Sequence, residues 1–347
     1  MASVCKLPPN QFDHFYKGGN RIGALRHGPG GPMRPEEWIG STTTRFGESS
    51  LGLTILPGGE TLLDAIIKSP VEWLGEEHVD TYGTSTELLV KLLDPDQRLP
   101  VHFHPNRAFA KKHLALNHGK TEAWIILDAP AGAQVGLGFK KEMKKNDVHA
   151  MVDARDATGL ISSLQQFEVK KGDAILVPSG VPHAIGAGIF VLELQEPTDL
   201  SALLEWNDFA VDGTVDGHLG LGFDTVLDAL RYSPIEKNEA DLLVTNNCFT
   251  QYSTTSIFTG AADPYFRADY LGASAPAISA GFGIFLALEG SGTITFESAP
   301  EITVDKGDAV LIPFSAGAWK IKGAEGILSR PPLSTNAALA KIGRASC

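Results

Sequence analysis

The octapeptide Lys171-Gly-Asp-Ala-Ile-Leu-Val-Pro178 returns late in the chain as Lys306-Gly-Asp-Ala-Val-Leu-Ile-Pro313. In each copy a Gly-Asp turn leads into a short apolar run that a proline ends, the pattern of a buried strand entered through a tight turn. Upstream of the two octapeptides, TEAWIILDAPAGAQV loosely matches GFGIFLALEGSGTIT. Self-similarity of this kind predicts two copies of one β-barrel unit. A chain of 347 residues with 43% hydrophobic residues has room for both cores. We therefore expect an all-β core of two barrels with helical insertions, divided into domains 1–235 and 236–347.

The local pattern fills in this frame. Strands are expected over 87–92, 99–103, 123–127, 174–177 and 189–194, then over 283–288, 293–296, 309–312 and 319–321, where Val, Ile and Leu runs are bounded by Gly, Pro and Asp. Helices are expected over 62–74, 106–116, 140–166 and 222–232. Asn106 is placed to cap the second of these. Residues 18–35, rich in Gly, Arg and Pro, read as an ordered loop.

The copies differ in chemistry. His183 follows Gly172 at the spacing at which Ala318 follows Gly307. The first copy also carries His102-Phe103-His104, and residues i and i+2 of a strand share a face, so both imidazoles can point into the barrel. Glu122 opens the next strand, where the second copy has Gly283. His102, His104, Glu122 and His183 are thus a candidate three-histidine, one-carboxylate metal site. That donor set suits Zn²⁺, and also Fe²⁺, Mn²⁺, Ni²⁺ or Co²⁺. The second barrel is expected to be degenerate and without metal.

Composition narrows the partners. With 41 acidic against 29 basic residues the formal charge is −12, which argues against nucleic acid and anionic membrane surfaces as partners. No apolar run is long enough to span a bilayer, and the opening residues MASVCKLPPNQFDHF show no charged-then-apolar signal pattern. The three cysteines, Cys5, Cys248 and Cys347, make neither a disulfide framework nor a metal site. The expectation is a cytoplasmic protein, monomer or homodimer, acting on a small molecule.

Beyond the metal ligands, the histidine pair, glutamate and distal histidine resemble the cupin superfamily. Lys91-Leu-Leu, Leu99-Pro-Val-His-Phe-His-Pro105, Gly119-Lys-Thr-Glu-Ala-Trp124 and Pro178-Ser-Gly-Val-Pro-His-Ala-Ile-Gly-Ala-Gly188 look like the type I mannose-6-phosphate isomerases. The resemblance is specific over about 15–210 and looser through the second barrel. It implies two cupin (jelly-roll) barrels and a Zn²⁺-dependent aldose–ketose isomerase with one metal per chain, acting on a sugar or sugar phosphate. It implies mannose 6-phosphate and fructose 6-phosphate as substrates, interconverted through an enediolate. It also implies roles: Lys120, Lys91 and Glu36 in catalysis, and Arg107, Trp38 and Glu193 in binding substrate. Such chemistry moves a proton between neighbouring carbons while charge grows on two vicinal oxygens. A base within hydrogen-bond reach and a dication serve those two needs.

Two departures from the family pattern stand out. His102 replaces a glutamine, and either residue offers one neutral donor. Leu203 stands where the family has an arginine close to the reacting carbons. Its charge must then come from another residue, such as Arg21, Arg26 or Arg107, or the substrate is a different, unphosphorylated sugar. Competing readings are a non-catalytic metal-containing sugar-binding protein and a cupin dioxygenase.

Overall fold

The computed structural model describes residues 2–249 and 254–334. Two antiparallel sheets form the first barrel. One runs, in spatial order, Val244–Thr245, Ala174–Val177, Glu122–Asp128, Phe190–Gln195, Leu89–Leu93 and Glu36–Ile39. The other runs Ala202–Leu203, His102–Phe103, His183–Ile185, Gln134–Phe139 and Leu164–Glu168. The second barrel has a six-stranded sheet, Cys5–Lys6, Ala309–Ile312, Gly283–Glu289, Glu325–Arg330, Arg267–Leu271 and Thr254–Ser256. Its three-stranded partner is Ile302–Asp305, Ser291–Phe296 and Trp319–Lys322.

The sequence repeat is a structural repeat down to single hydrogen bonds. Asp173 Oδ2 accepts from Lys170 N at 3.0 Å, and Asp308 Oδ2 accepts from Asp305 N at 2.8 Å. Gly172 N donates to Ile126 O and Gly307 N to Ala287 O, both at 2.8 Å. Both glycines have positive φ, 87° and 92°. At Gly307 a Cβ would also lie 1.8 Å from Leu25 O, so glycine alone lets the helix Asn20–Arg26 pack against this turn. Strand register then fixes the equivalences. Glu122 pairs with Val177, and Gly283 pairs with Ile312, the corresponding residue of the second octapeptide. The second barrel thus has no donor side chain where the first has Glu122 and His183.

Alternation along the strands joins the barrels. Phe285, Ala287, Val310 and Leu328 fill the second barrel. Ile284, Leu286, Leu311 and Ile327 point the other way and share one apolar cluster with Leu92, Ile126 and Ile175 of the first. This explains why Ala174–Val177 and Ala309–Ile312 are buried on both faces. The barrels also exchange edges. Cys5–Lys6 pairs with the second-barrel strand Ala309–Ile312, and Val244–Thr245 pairs with the first-barrel strand Ala174–Val177. Cys5 and Cys248 are free thiols, and Cys347 lies outside the described residues.

Four expectations for the helical parts need correction. The helix expected over 222–232 is a short helix, Phe223–Val226, that tightens into a 3-10 turn over Leu227–Ala229 and ends there. The expected loop over 18–35 contains the helix Asn20–Arg26. The helix expected over 62–74 is split into Leu62–Lys68 and Pro70–Leu74, because Pro70 has no N–H to continue the first and suits the start of the second. The segment 140–166 breaks near Arg155, at φ 52°, into Lys145–Asp153 and Ala157–Ser163, and its end is already strand. The Asn106 cap is as expected, its side chain accepting from Phe109 N at 2.9 Å.

Arg26 ties these parts together. It is buried, its Nε donates to Glu37 Oε1 at 2.9 Å, its Nη2 to Leu7 O at 2.9 Å, and its Nη1 to Gly307 O. One side chain thereby links the cavity sheet, the N-terminal segment and the turn of the second repeat. Removing it strands a buried carboxylate and two carbonyls. Arg26→Ala is expected to lower unfolding free energy by about 3–5 kcal/mol, read as a shift of the denaturant midpoint; a change below about 1 kcal/mol would show that the clamp contributes little.

Candidate metal centre and substrate cavity

The site begins with a strand too short to stand alone. His102–Phe103 is held on both sides, His102 opposite His183 on one and opposite Leu203 on the other. Just before it, Val101 N donates to the buried Glu205 carboxylate at 2.9 Å, fixing the entry of the chain. His104 lies two residues on, and Glu122 heads the neighbouring strand of the facing sheet. All four side chains are buried.

Backbone carbonyls set the histidine tautomers. His102 Nδ1 donates to Pro100 O at 2.8 Å, His104 Nδ1 to Leu200 O at 2.6 Å and His183 Nδ1 to Val181 O at 2.8 Å. A neutral imidazole that donates through Nδ1 presents a lone pair at Nε2. The three Nε2 atoms converge, and the donor atoms of the trio lie within 4.8 Å of one another. Nε2 of His102 and of His183 are 3.0 Å apart. Glu122 places Oε2 2.9 Å from His104 Nε2 and Oε1 3.3 Å from His183 Nε2.

Lone pairs facing lone pairs and a carboxylate repel unless a cation lies among them. Four donors about 2.05 Å from one ion in a tetrahedron would stand about 3.3 Å apart, close to the spacings seen. Glu122 Oε2 is buried, with His104 Nε2 at 2.9 Å and Lys120 Nζ at 3.1 Å, so the carboxylate faces the cluster directly. Charge states agree. Burial holds the His102 and His104 pKa values well below the usual range, so both are neutral. Burial also opposes ionisation of Glu122, but Lys120 and His104 outweigh it and keep the carboxyl pKa low. These are the protonation states a metal requires. The second ring nitrogens bonded to carbonyls supply the orientation that metal-bound histidines need. The residues fit a divalent cation.

From this cluster a row of polar side chains runs across the sheet. Lys120 Nζ lies 3.1 Å from Glu122 Oε2 and 4.0 Å from Glu193 Oε1. Glu193 is directly opposite Lys91 on the next strand, and Lys91 opposite Trp38 on the one after. Lys91 Nζ is 3.4 Å from both Glu36 Oε2 and Asp199 Oδ1, and lies 4.4 Å above the Trp38 ring. Although burial opposes charge on Lys91, Glu36 and Asp199 raise its pKa above the ordinary value. Glu36 accepts from Tyr16 Oη at 2.7 Å and Trp38 Nε1 at 2.8 Å. Burial resists its ionisation, yet His14, Lys91 and these donors pull its pKa well down. Glu193 is pushed the other way, by burial first and then by the charge on Glu122.

These groups line a cavity of about 600 Å³ that reaches from His102, Lys120 and Glu122 past Glu193 and Lys91 to Glu36. Strand alternation sends Glu36 into the cavity and Glu37 away from it to Arg26. Trp38 does not line the cavity; it lies beneath Lys91 and positions Glu36. Arg107 must be corrected. It starts the helix Arg107–Leu114 outside the cavity, is held by Glu196 at 2.5 Å and stacks on Tyr265. Arg21 and Arg26 are likewise taken, by Asp94 and Glu37. Leu203 does line the cavity, beside His102. Sequence reasoning missed His14, Tyr16 and Arg45, which reach the cavity from irregular segments with no periodicity to mark them.

His183→Ala should abolish metal-dependent stabilisation: addition of chelator lowers the melting temperature of the parent protein and leaves that of the variant unmoved. Equal chelator sensitivity in both proteins would remove His183 from the ligand set.

Comparison with known proteins agrees with this geometry. No family model matches the chain. Mannose-6-phosphate isomerase of Streptococcus mutans is 29% identical over 268 residues, 73% of this chain and 78% of that protein. The crystal structure of mannose 6-phosphate isomerase from Bacillus subtilis superposes with a TM-score of 0.74 at 24% identity, over 95% of this chain and all of that one. A structure of mannose 6-phosphate isomerase bound with zinc and yttrium superposes with a TM-score of 0.70 at 14% identity, over 96% and 100% of the two chains. The chain is a homologue of proteins named mannose-6-phosphate isomerase, and it carries the cupin fold of the solved phosphomannose isomerases.

Proposed function

We propose that this protein is a metal-dependent aldose–ketose isomerase that interconverts mannose 6-phosphate and fructose 6-phosphate. One Zn²⁺ per chain would be held by His102, His104, Glu122 and His183. The observation that carries the reading is the convergence of three imidazole lone pairs and a carboxylate at one end of a 600 Å³ cavity, with Lys120 beside them. That volume lies in the range of small-molecule sites. Sequence relatives named for this activity support it.

The dication supplies electrostatic stabilisation for the negative charge that grows on the two vicinal oxygens. The chain's residues do the rest. Lys120 is the base in reach: its Nζ, as the free amine, takes the proton from C2 of the aldose and returns it to C1 while the hydroxyl proton at O2 passes to O1, giving the ketose. Lys91 stays protonated because Glu36 and Asp199 face it, so it donates hydrogen bonds to sugar hydroxyls rather than taking protons. Glu36, ionised, accepts from a hydroxyl. Glu193 Oε1, buried with no hydrogen-bond partner, is open to another. Leu203 and Leu219 add apolar surface to the cavity wall.

A second reading, an isomerase of a neutral sugar, draws on Leu203 and on the carboxylates Asp199, Asp212 and Asp216 along the cavity. We read the protein as cytoplasmic and as a monomer or homodimer; no helix among the described residues is long and apolar enough to cross a membrane.

With metal loaded, incubation in D₂O with mannose 6-phosphate should place deuterium at C1 of fructose 6-phosphate and C2 of mannose 6-phosphate, followed by NMR. Absence of both exchange and isomerisation would overturn the reading. Lys120→Met should lower kcat by at least about 100-fold with little change in melting temperature, and a near-parental kcat would take Lys120 out of the proton transfer.

A further inference from the structure

The metal centre occupies one end of the cavity, and the other end holds a cluster that the proton transfer does not use. Glu122, Glu193, Lys91 and Glu36 stand on four successive strands of one sheet. The row is diagonal: Glu122 is level with Gln195 and Leu89, and Glu36 with Leu93, so it runs along the strands as well as across them. Beyond Glu36 lies His14. Its side chain is only 7% exposed, its Nε2 sits 3.6 Å from Glu36 Oε2, and that atom has no hydrogen-bond partner. Arg45 lines the cavity from the loop that follows the Glu36–Ile39 strand. Phe46 N, donating to Asp199 Oδ2 at 3.1 Å, holds this loop against the cavity.

Charge balance makes Arg45 distinctive. Lys120 is neutralised by Glu122, and Lys91 by Glu36 and Asp199. Arg21, Arg26 and Arg107 are each held by a carboxylate outside the cavity. Arg45 alone lines the cavity as an arginine and, among the described residues, makes no ion pair. A guanidinium fork that lines the same cavity as a buried, unpartnered imidazole nitrogen, near enough for its charge to act on that ring, suits a tetrahedral oxyanion, which takes several directed N–H donors at once. Two of the cavity carboxylates, Glu36 and Asp199, are already compensated by Lys91.

We propose that Arg45 and His14 form the subsite for the substrate's terminal phosphate, supplying the cation that Leu203 does not. The inference rests on the isomerase reading and adds the direction in which the sugar lies: reacting carbons at Lys120, phosphate at the Arg45 loop. The site selects a chain whose anionic end is several carbons from its carbonyl.

Binding tests this apart from turnover. Mannose 6-phosphate and mannose are titrated calorimetrically into the metal-loaded parent, Arg45→Gln and Arg45→Lys, with melting temperatures as a folding control. Arg45→Gln should weaken mannose 6-phosphate at least about 10-fold and leave mannose unchanged, and Arg45→Lys should recover part of the loss. Unchanged affinity for mannose 6-phosphate in Arg45→Gln overturns the subsite, as does equal weakening of both sugars. Deuterium exchange in the same samples separates the two ideas. Phosphate-selective binding through Arg45 without exchange would overturn the isomerase reading and leave the subsite standing; exchange with Arg45-independent binding would do the reverse.

Discussion

Three imidazole lone pairs aimed at a buried carboxylate are the constraint around which the first barrel is arranged. Such a cluster is unfavourable in isolation, since buried lone pairs and a carboxylate face one another with Lys120 as their one cationic neighbour among the described residues. It persists because the backbone fixes each ring from behind, through Pro100, Val181 and Leu200 carbonyls on three separate segments. Those segments are in turn held by strand pairing and by the Glu205 carboxylate. A cation between the donors would convert this repulsion into binding energy, which would link metal affinity to fold stability at this point.

The cavity extends the same logic sideways. Charges alternate from strand to strand, Glu122 with Lys120, then Glu193, then Lys91 with Glu36, so that nearly every buried charge has an opposite neighbour. Glu193 is the exception, and burial beside Glu122 raises its pKa. The arrangement also separates the two lysines by environment. Lys91, boxed in by two carboxylates, is held charged, whereas Lys120 shares its main partner with the metal site. In the proposed reaction one lysine would hold the substrate while the other stood next to the reacting carbons.

The second barrel has the same strands and turns but not the donors. Its octapeptide makes the same Asp-to-backbone and Gly-to-carbonyl bonds as the first, so the repeat was retained for packing. One face of its larger sheet closes its own core, and the other covers the cavity sheet of the first barrel. Arg26 and the exchanged edge strands add polar links across that contact. A sheet covered on its outer face in this way keeps the row from Glu122 to Glu36 in fixed register.

Much of this was legible in the sequence. The octapeptide repeat disclosed two barrels, because a buried strand needs an apolar run and its turn needs Gly-Asp, both local demands. The convergence of the candidate donors was legible as well, because side chains at i and i+2 of a strand share a face. Lys91 is a charge inside an apolar run, Leu88-Leu-Val-Lys-Leu-Leu93, where a strand would otherwise be uncharged. Long-range geometry was not legible. Whether Arg107 reaches the cavity depends on Glu196 and Glu87, which approach it from distant parts of the chain. His14 and Arg45 reach the cavity from segments whose residues follow no period. Sequence alone determined which groups could bind a metal and that they lie in one copy of a repeat. Tertiary structure decided which of many surface cations faces the cavity, because strand pattern is local whereas the pairing of charges depends on what the fold brings within a few ångströms.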